Sequence, residues 1–568
     1  MKMTWGQRRA IIIIVLAVFL VILCIVAMKP GRTLRLPSNA VLVIDAAGQI
    51  EEQRAPDIFS AFNGYTTPVL HDYLDAIDAA AKDSHISGLV VRIAPLETGW
   101  GKLEEIRGHL LAFRKSGKPS ICYLGYDGIG NPEYYLASAC QQIWLVPTAP
   151  VSIRGMMAEA VFFRGTLDKL KVVPEFYHIA EFKTAGNTFT EKQFTPAHKE
   201  EVEGLLRSIY DQYLNDASKG RGMDRAQFEA LVTRGPFSSS DAVANKIVDR
   251  LGYWDQLQGY FKDRNRTWNP ISLNRYRSSI SNDGSARIAV VHATGLIVSG
   301  DSSSTPGGGS VMGGDSVAAD IRAARTDYSI KAIVLRVDSG GGSVVGSEVI
   351  RREVELANQV KPVVVSMSDV AASGGYWIAA PARKIVADPG TITGSIGVLI
   401  GKFNVSGLYA LLGMSTDSVA TSDNATMFSA QQNFTPAQRA YIQKSLNDTY
   451  ADFTKGVAQG RKMTVEAVDK IGKGRVWSGA QAKELGLVDE LGGLDRAIEI
   501  AKQLSNIPTG ESVHIVRYPE EKSFFQQFLE REKDNNMSES QSLESMINHI
   551  LSQMDPVQAR MPYELHIR

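Results

Sequence analysis

A serine followed by two glycines, Ser373 in SDVAASGGYWIAA (368–380), is where this chain could carry a nucleophile. It follows a Val-rich run that reads as a strand and opens a run that reads as a helix. A serine in that position is most often an N-cap satisfying the first helical turn. Here the glycines behind it would also let a substrate carbonyl come close. The N–H of Gly374 would lie beside the hydroxyl, where an oxyanion donor belongs, and the helix dipole favours negative charge developing there. A second Gly-rich stretch, RVDSGGGS (336–343), ends another strand. The N–H of Gly341 or Gly342 could point at the same oxygen, although read alone the stretch is equally a plain strand-to-helix turn. No Gly-Lys-Ser/Thr follows it, so it is not a phosphate-binding P-loop. A third, STPGGGSVMGGDS (304–316), reads as a mobile loop, with a lid over a substrate groove as the sharper alternative.

A serine nucleophile needs a base. No histidine occurs between His292 and His514. The candidate comes instead from an internal duplication. YYLASACQQIWLVPTAPVSIRG (134–155) lies over YWIAAPARKIVADPGTITGSIG (376–397) at an offset of 242, and FSSSDAVANKIVDRLG (237–252) lies over WSGAQAKELGLVDELG (477–492) at 240. In that alignment Ser373 falls opposite Asn131, whereas Lys183 in HIAEFKTAGNTF falls opposite Asp423. One half holds the hydroxyl and the other the amine, as expected if a duplicated enzyme forms one composite site. A lone loop lysine is ordinarily a solvated charge. To act as base, Lys183 must be buried so that its pKa falls by several units. Glu181, two residues back, would oppose that fall if the chain were extended there.

The elements that position these groups follow from the same duplication. Each half alternates short Val/Ile-rich strands, such as AIVLRV and PVVVSM, with helical patterns such as GSEVIRREVELANQV. That alternation indicates an α/β fold of parallel strands joined by helical crossovers. The repeats span 40–262, carrying the lysine, and 285–505, carrying the serine, joined by a polar, turn-rich linker at 263–284. The tail, 506–568, contains an amphipathic FFQQFLEREKDNN read as a packing or assembly helix.

Before the repeats, a flank of residues 1–9 leads into residues 10–28, an uncharged run of 19 residues that reads as a transmembrane anchor. As a helix it reaches about 28 Å, close to the hydrocarbon thickness of a bilayer. A cleaved signal peptide would have a shorter core, and the small-x-small site Ser38-Asn39-Ala40 comes late. Lys2, Arg8 and Arg9 precede the run and Lys29, Arg32 and Arg35 follow it, leaning slightly towards an inside N-terminus. The 568 residues balance 61 basic against 61 acidic side chains, which gives no support to a nucleic-acid binder. Three cysteines (Cys24, Cys122, Cys140) cannot build a four-cysteine zinc site or a disulfide framework. Cys122 and Cys140 could bridge in an oxidising compartment, but two small buried core residues is the plainer reading.

At these motifs the sequence resembles the long form of the signal peptide peptidase family (protease IV, the S49 serine peptidases). The resemblance runs over nearly the whole chain, with AASGGYWIAAPARKIVADPGTITGSIG and the strand-end S-x-GGS as its most specific blocks. Gly340 stands where the family's SPGGS has proline. The resemblance implies two tandem Clp-protease/crotonase-like repeats, Ser373 as nucleophile, Lys183 as general base, and Gly374 with Gly341 or Gly342 as oxyanion donors. It also implies hydrolysis of released signal peptides by an anchored homotetramer on the periplasmic side of the inner membrane, without cofactor or metal. Ser395, in TGSIG, is read as orienting Lys183 or as a turn serine. Two rivals are an acyl-thioester enzyme on the same fold and a non-catalytic membrane scaffold in which Ser373 is only a helix cap.

Overall fold

The computed structural model describes residues 36–54, 67–304, 310–520 and 557–560. The expected anchor at 10–28 and the amphipathic run after Lys522 lie outside these residues. Among the described residues no helix is long and apolar enough to cross a membrane.

The first half contributes β1 (Ala40–Gly48), β2 (Ile86–Leu96), β3 (Ser120–Leu124), β4 (Gln142–Leu145), β5 (Val173–His178), β6 (Arg250–Leu251) and β7 (Asn269–Ser272). Six of these form one sheet in the order β6-β4-β3-β2-β1-β7, every neighbouring pair parallel. Helices such as Leu70–Lys82 and Trp100–Arg114 make the crossovers. The continuous apolar runs in β2 and β3 follow from burial on both faces, since a parallel sheet is covered by its own crossover helices.

The second half repeats the scheme with β8 (Ala286–Thr294), β9 (Leu296–Val298), β10 (Ser303–Ser304), β11 (Ser310–Gly313), β12 (Ile330–Ser339) and β13 (Gly341–Ser343). After these come β14 (Val363–Ala372), β15 (Lys384–Ala387), β16 (Ile392–Gly394) and β17 (Leu399–Asn404). The chain continues through β18 (Val476–Ser478), β19 (Glu490–Leu491), β20 (Val513–Tyr518) and β21 (Val557–Arg560). The main sheet runs β18-β16-β14-β12-β8-β20. A second sheet, β10-β11-β9-β13-β21-β17-β5, recruits β5 from the first half, antiparallel to β17. The two halves are therefore laced together by a shared sheet.

Several expectations change. The segment read as a linker contains β7, which pairs with β1, and the helix Leu273–Arg277, so the first repeat extends past 262. The second likewise extends past 505, because β20 pairs with β8. Both are short edge strands, whose polar, turn-rich surroundings mask the alternating pattern. Cys122 and Cys140 are joined as a disulfide as well as buried, because the crossover after β3 returns the chain to the adjacent β4. In the Gly-rich stretch 304–316, β10 and β11 pair as a hairpin and the helix Gly314–Thr326 follows; residues 305–309 lie outside the described set.

A buried ionic cluster clamps the halves beside the site. Arg336 on β12, fully buried, donates Nε to Glu52 Oε2 at 3.0 Å and Nη2 to both Glu52 and Glu105 of the first half. Lys102 Nζ reaches Asp338 at 2.7 Å and Asp369 at 3.2 Å. Those two carboxylates stand on the strands that lead to the Gly-rich turn and to Ser373.

Candidate active site

Ser373 is the single residue between β14, which ends at Ala372, and the helix Gly374–Ala379. Its hydroxyl makes no capping bond, so the helix-cap reading does not hold. Its backbone adopts φ 56°, ψ −115°, a conformation that disfavours any residue with a Cβ. Two hydrogen bonds hold it there: Ser373 N–H donates to the Gly394 carbonyl and Trp377 N–H to the Ser373 carbonyl, both at 2.8 Å. The resulting sharp turn leaves the hydroxyl free of the helix it opens.

Lys183 arrives from the other half. It follows β5, whose pairing with β17 carries the chain across, and it precedes a short 3-10 turn, Thr184–Gly186. The second half then grips this segment, with Ile179 N–H donating to the Val398 carbonyl and Phe182 N–H to the Lys473 carbonyl. Room for the side chain is made by missing atoms. A Cβ on Gly474 would come within 2.4 Å of the Lys183 backbone nitrogen, and one on Gly397 within 3.2 Å of its Cδ. The lysine is completely buried.

Lys183 Nζ lies 2.7 Å from Ser373 Oγ, 3.0 Å from Ser395 Oγ and 3.1 Å from the Ser395 carbonyl. A neutral amine has two N–H donors and one lone pair, and these three partners match that inventory. Its donors satisfy Ser395, and the lone pair faces the Ser373 hydroxyl. Burial holds the amine well below the usual lysine range, with the Glu201 carboxylate as a smaller opposing influence. Glu181 does not oppose the shift; the chain turns after β5 and leaves it exposed.

Glu201, on the helix Pro196–Arg221, is the carboxylate that sequence reasoning missed. Its Oε1 accepts the Val476 N–H at 2.6 Å and its Oε2 the Thr184 hydroxyl at 3.3 Å, tying the lysine segment to β18. Burial pushes its carboxyl up to about 8. No local motif marks it, and a helical glutamate ordinarily faces water.

The Gly-rich turn packs against the residues on either side of Ser373. Ser339 pairs with Ala371, and a Cβ on Gly375 would come within 2.4 Å of the Ser339 carbonyl, so only glycine permits that approach. Gly341 and Gly342 follow at φ +95° and +152°. The Gly341 N–H donates to Ser339 Oγ at 3.1 Å, which leaves Gly342 and Gly374 as the donors not committed to that hydroxyl. The arrangement sets a buried hydroxyl within hydrogen-bond reach of a buried amine. Opposite, in the first half, Asn131 donates Nδ2 to the Gly155 carbonyl at 2.6 Å, just as Ser373 Oγ approaches the Gly397 carbonyl at 3.5 Å. The position is preserved there without the hydroxyl.

Residues 112–266 and 355–508 match peptidase family S49, and these segments contain Lys183 and Ser373 respectively. The chain is 32% identical over 542 residues to the chloroplastic serine protease SPPA of Arabidopsis thaliana, covering 93% of this chain and 78% of that protein. It is 35% identical over 456 residues to protease 4 of Salmonella typhi, covering 77% of this chain and 72% of the relative. With protease 4 of Haemophilus influenzae it shares 31% over 524 residues, 87% of this chain and 84% of the relative. Matches of this extent, spread over both halves, make the chain a serine peptidase of the S49 family, of the protease IV type.

Proposed function

We propose that Ser373 and Lys183 form the catalytic dyad and that the enzyme degrades signal peptides after their release. The carrying observation is the 2.7 Å separation between a fully buried lysine amine and the Ser373 hydroxyl. Lys183 takes the hydroxyl proton as Ser373 Oγ attacks the peptide carbonyl carbon. The N–H of Gly374, with that of Gly342 rather than the Gly341 N–H committed to Ser339 Oγ, stabilises the oxyanion. As the C–N bond breaks, Lys183 gives the proton to the leaving amine. Water then gives a proton to Lys183 and attacks the acyl-serine, releasing the acid and restoring Ser373. Ser395 keeps Nζ in line throughout. The reaction draws on no metal or cofactor.

The same reading places the enzyme at the inner membrane, anchored by residues 10–28 with its catalytic part periplasmic and assembled as a homotetramer. The Cys122–Cys140 disulfide supports the compartment, since disulfides persist where the surroundings are oxidising. Ser373→Ala and Lys183→Ala should each lower cleavage of leucine-rich peptides by at least about 10³-fold in a folded protein. A fluorophosphonate, or failing that a peptide aldehyde, should modify Ser373 in the unsubstituted chain. Full activity in Lys183→Ala would end the Ser–Lys assignment.

A further inference from the structure

Two routes hold Lys183 in place, and they meet at one side chain. The first runs through its own backbone: the next residue, Thr184, has its hydroxyl 3.3 Å from Glu201 Oε2. The second runs through its partner Ser395. Ser395 N–H donates to the Arg475 carbonyl at 2.7 Å, and the N–H of the following residue, Val476, donates to Glu201 Oε1 at 2.6 Å. With the contact from Lys183 Nζ to Ser395 Oγ these bonds close a ring that crosses between the halves twice. Glu201 is the link that returns it to the first half. The duplication marks the same residue. FTPAHKEEV (194–202) lies over FTPAQRAYI (434–442) at 240, the offset that sets Lys183 against Asp423. Glu201 then falls opposite Tyr441, which is 63% exposed. The half with the lysine has the buried acid, and the half without the lysine has neither.

Among the described residues Glu201 makes no ion pair, although it is only 1% exposed. Two cations act on it, and both are engaged elsewhere. Lys183 Nζ contacts Ser373 and Ser395, while Arg475 pairs with Glu200 at 2.8 Å and stacks on the Phe182 and Trp477 rings. His198, three residues earlier on the same helix, is kept neutral by burial, which lowers its pKa to about 4. A carboxyl removed from water without an ion-pair partner keeps its proton, and burial pushes this one up to about 8. An ionised Glu201 would instead favour the ammonium form of Lys183.

Resting on the Ser–Lys reading of the site, we propose that Glu201 is a positioning residue for the general base: as a neutral acid it locks Lys183 and Ser395 into one frame without drawing a proton onto the amine. Its carbonyl oxygen takes the Val476 N–H and its hydroxyl pairs with Thr184. Glutamine reproduces both contacts, because its carbonyl accepts and its amide N–H donates to the Thr184 oxygen. Alanine reproduces neither, and a base displaced by about 1 Å loses on the order of 10²-fold in rate.

The test measures kcat and KM of the full-length enzyme on a leucine-rich peptide across pH. Glu201→Ala should lower kcat about 10–100-fold with KM changed less than about twofold. Its helix stays docked through the Ser208–Ser478 hydroxyl pair and the Gln481 amide on the Gly204 carbonyl. Glu201→Gln should recover most of that loss and keep the acid limb of kcat/KM at the same pH, since it removes no charge. Thr184→Val breaks one bond of the ring without opening a cavity; it should lower kcat in the unsubstituted chain and add nothing in Glu201→Ala. Undiminished kcat in Glu201→Ala or in Thr184→Val, a glutamine variant as slow as the alanine one, or an acid limb moved to lower pH by glutamine overturns the proposal. Failure of the Ser–Lys reading shows separately, as full activity in Lys183→Ala; if this proposal alone fails, Lys183→Ala is inactive while Glu201→Ala turns over normally.

Discussion

Replacing Ser373 by alanine or by glycine removes the same hydroxyl, yet the two variants should differ in stability. At φ 56°, ψ −115° a residue with a Cβ is strained, and such sites cost about 1–3 kcal/mol. The conformation cannot relax, because the Gly394 carbonyl and the Trp377 N–H hold both sides of the residue at 2.8 Å. Alanine keeps the strain and glycine releases it. Glycine also gives the unfolded chain more freedom, which costs about 0.4–1 kcal/mol. Taking the middle of each range, the balance favours glycine by about 1.3 kcal/mol. Urea unfolding of both inactive variants side by side measures the difference, with peptide cleavage as a check that neither retains activity. An alanine variant as stable as the glycine variant, or more so, would refute the claim that backbone strain presents the nucleophile.

Lys183→Met should change the pH dependence of stability in a defined direction. The folded pKa of Lys183 lies below its unfolded value, so folding must neutralise or bury the charge at a cost that is full at low pH and lost as pH rises towards the unfolded value. Between those two pKa values the native protein should gain on the Met variant by up to about 1.4 kcal/mol per pH unit, read from denaturation at stepped pH; a pH-independent difference would contradict a neutral buried amine. Arg336→Met should cost about 3–5 kcal/mol because it strands the Glu52 and Glu105 carboxylates in the interior, and adding Glu52→Gln and Glu105→Gln should recover much of that loss. A triple variant no more stable than the single one would show that the buried charges are not what holds the halves together.

The groups that meet at the site were legible in the sequence because the duplication supplied a second copy against which to read each position. Ser373 against Asn131 and Lys183 against Asp423 are informative only as pairs. The strand crossing was not legible. VPEFYH alternates like any strand, and nothing in it says that its partner, Leu399–Asn404, lies in the other half. Glu201 and Gly474 were missed for a related reason: each acts on Lys183 from an element distant in sequence, so no spacing rule reaches them. The edge strands β7 and β20 and the strand β21 were hidden because short strands bounded by polar residues and prolines leave too few positions for an alternating pattern. For Cys122 and Cys140, sequence allowed both outcomes; the adjacency of β3 and β4 decides between them.

Dividing the site between halves follows from what a neutral lysine requires. Here the lysine's pKa is lowered by burial, and a loop of the first half does not bury it by itself. The seal comes from the second half: Ser395 takes the two N–H groups, Gly397 and Gly474 lie close against the lysine, and the Lys473 carbonyl anchors the preceding residue. The nucleophile faces a different constraint, since its hydroxyl must meet the substrate carbonyl. A sealed base and a nucleophile presented on a strained turn are easier to supply from separate scaffolds than from adjacent residues of one loop. The first half has accordingly closed its own nucleophile position with the Asn131 amide on the Gly155 carbonyl, and the second half carries an exposed Asp423 where its own lysine would be. Each copy has kept only the part that the joint between them can use.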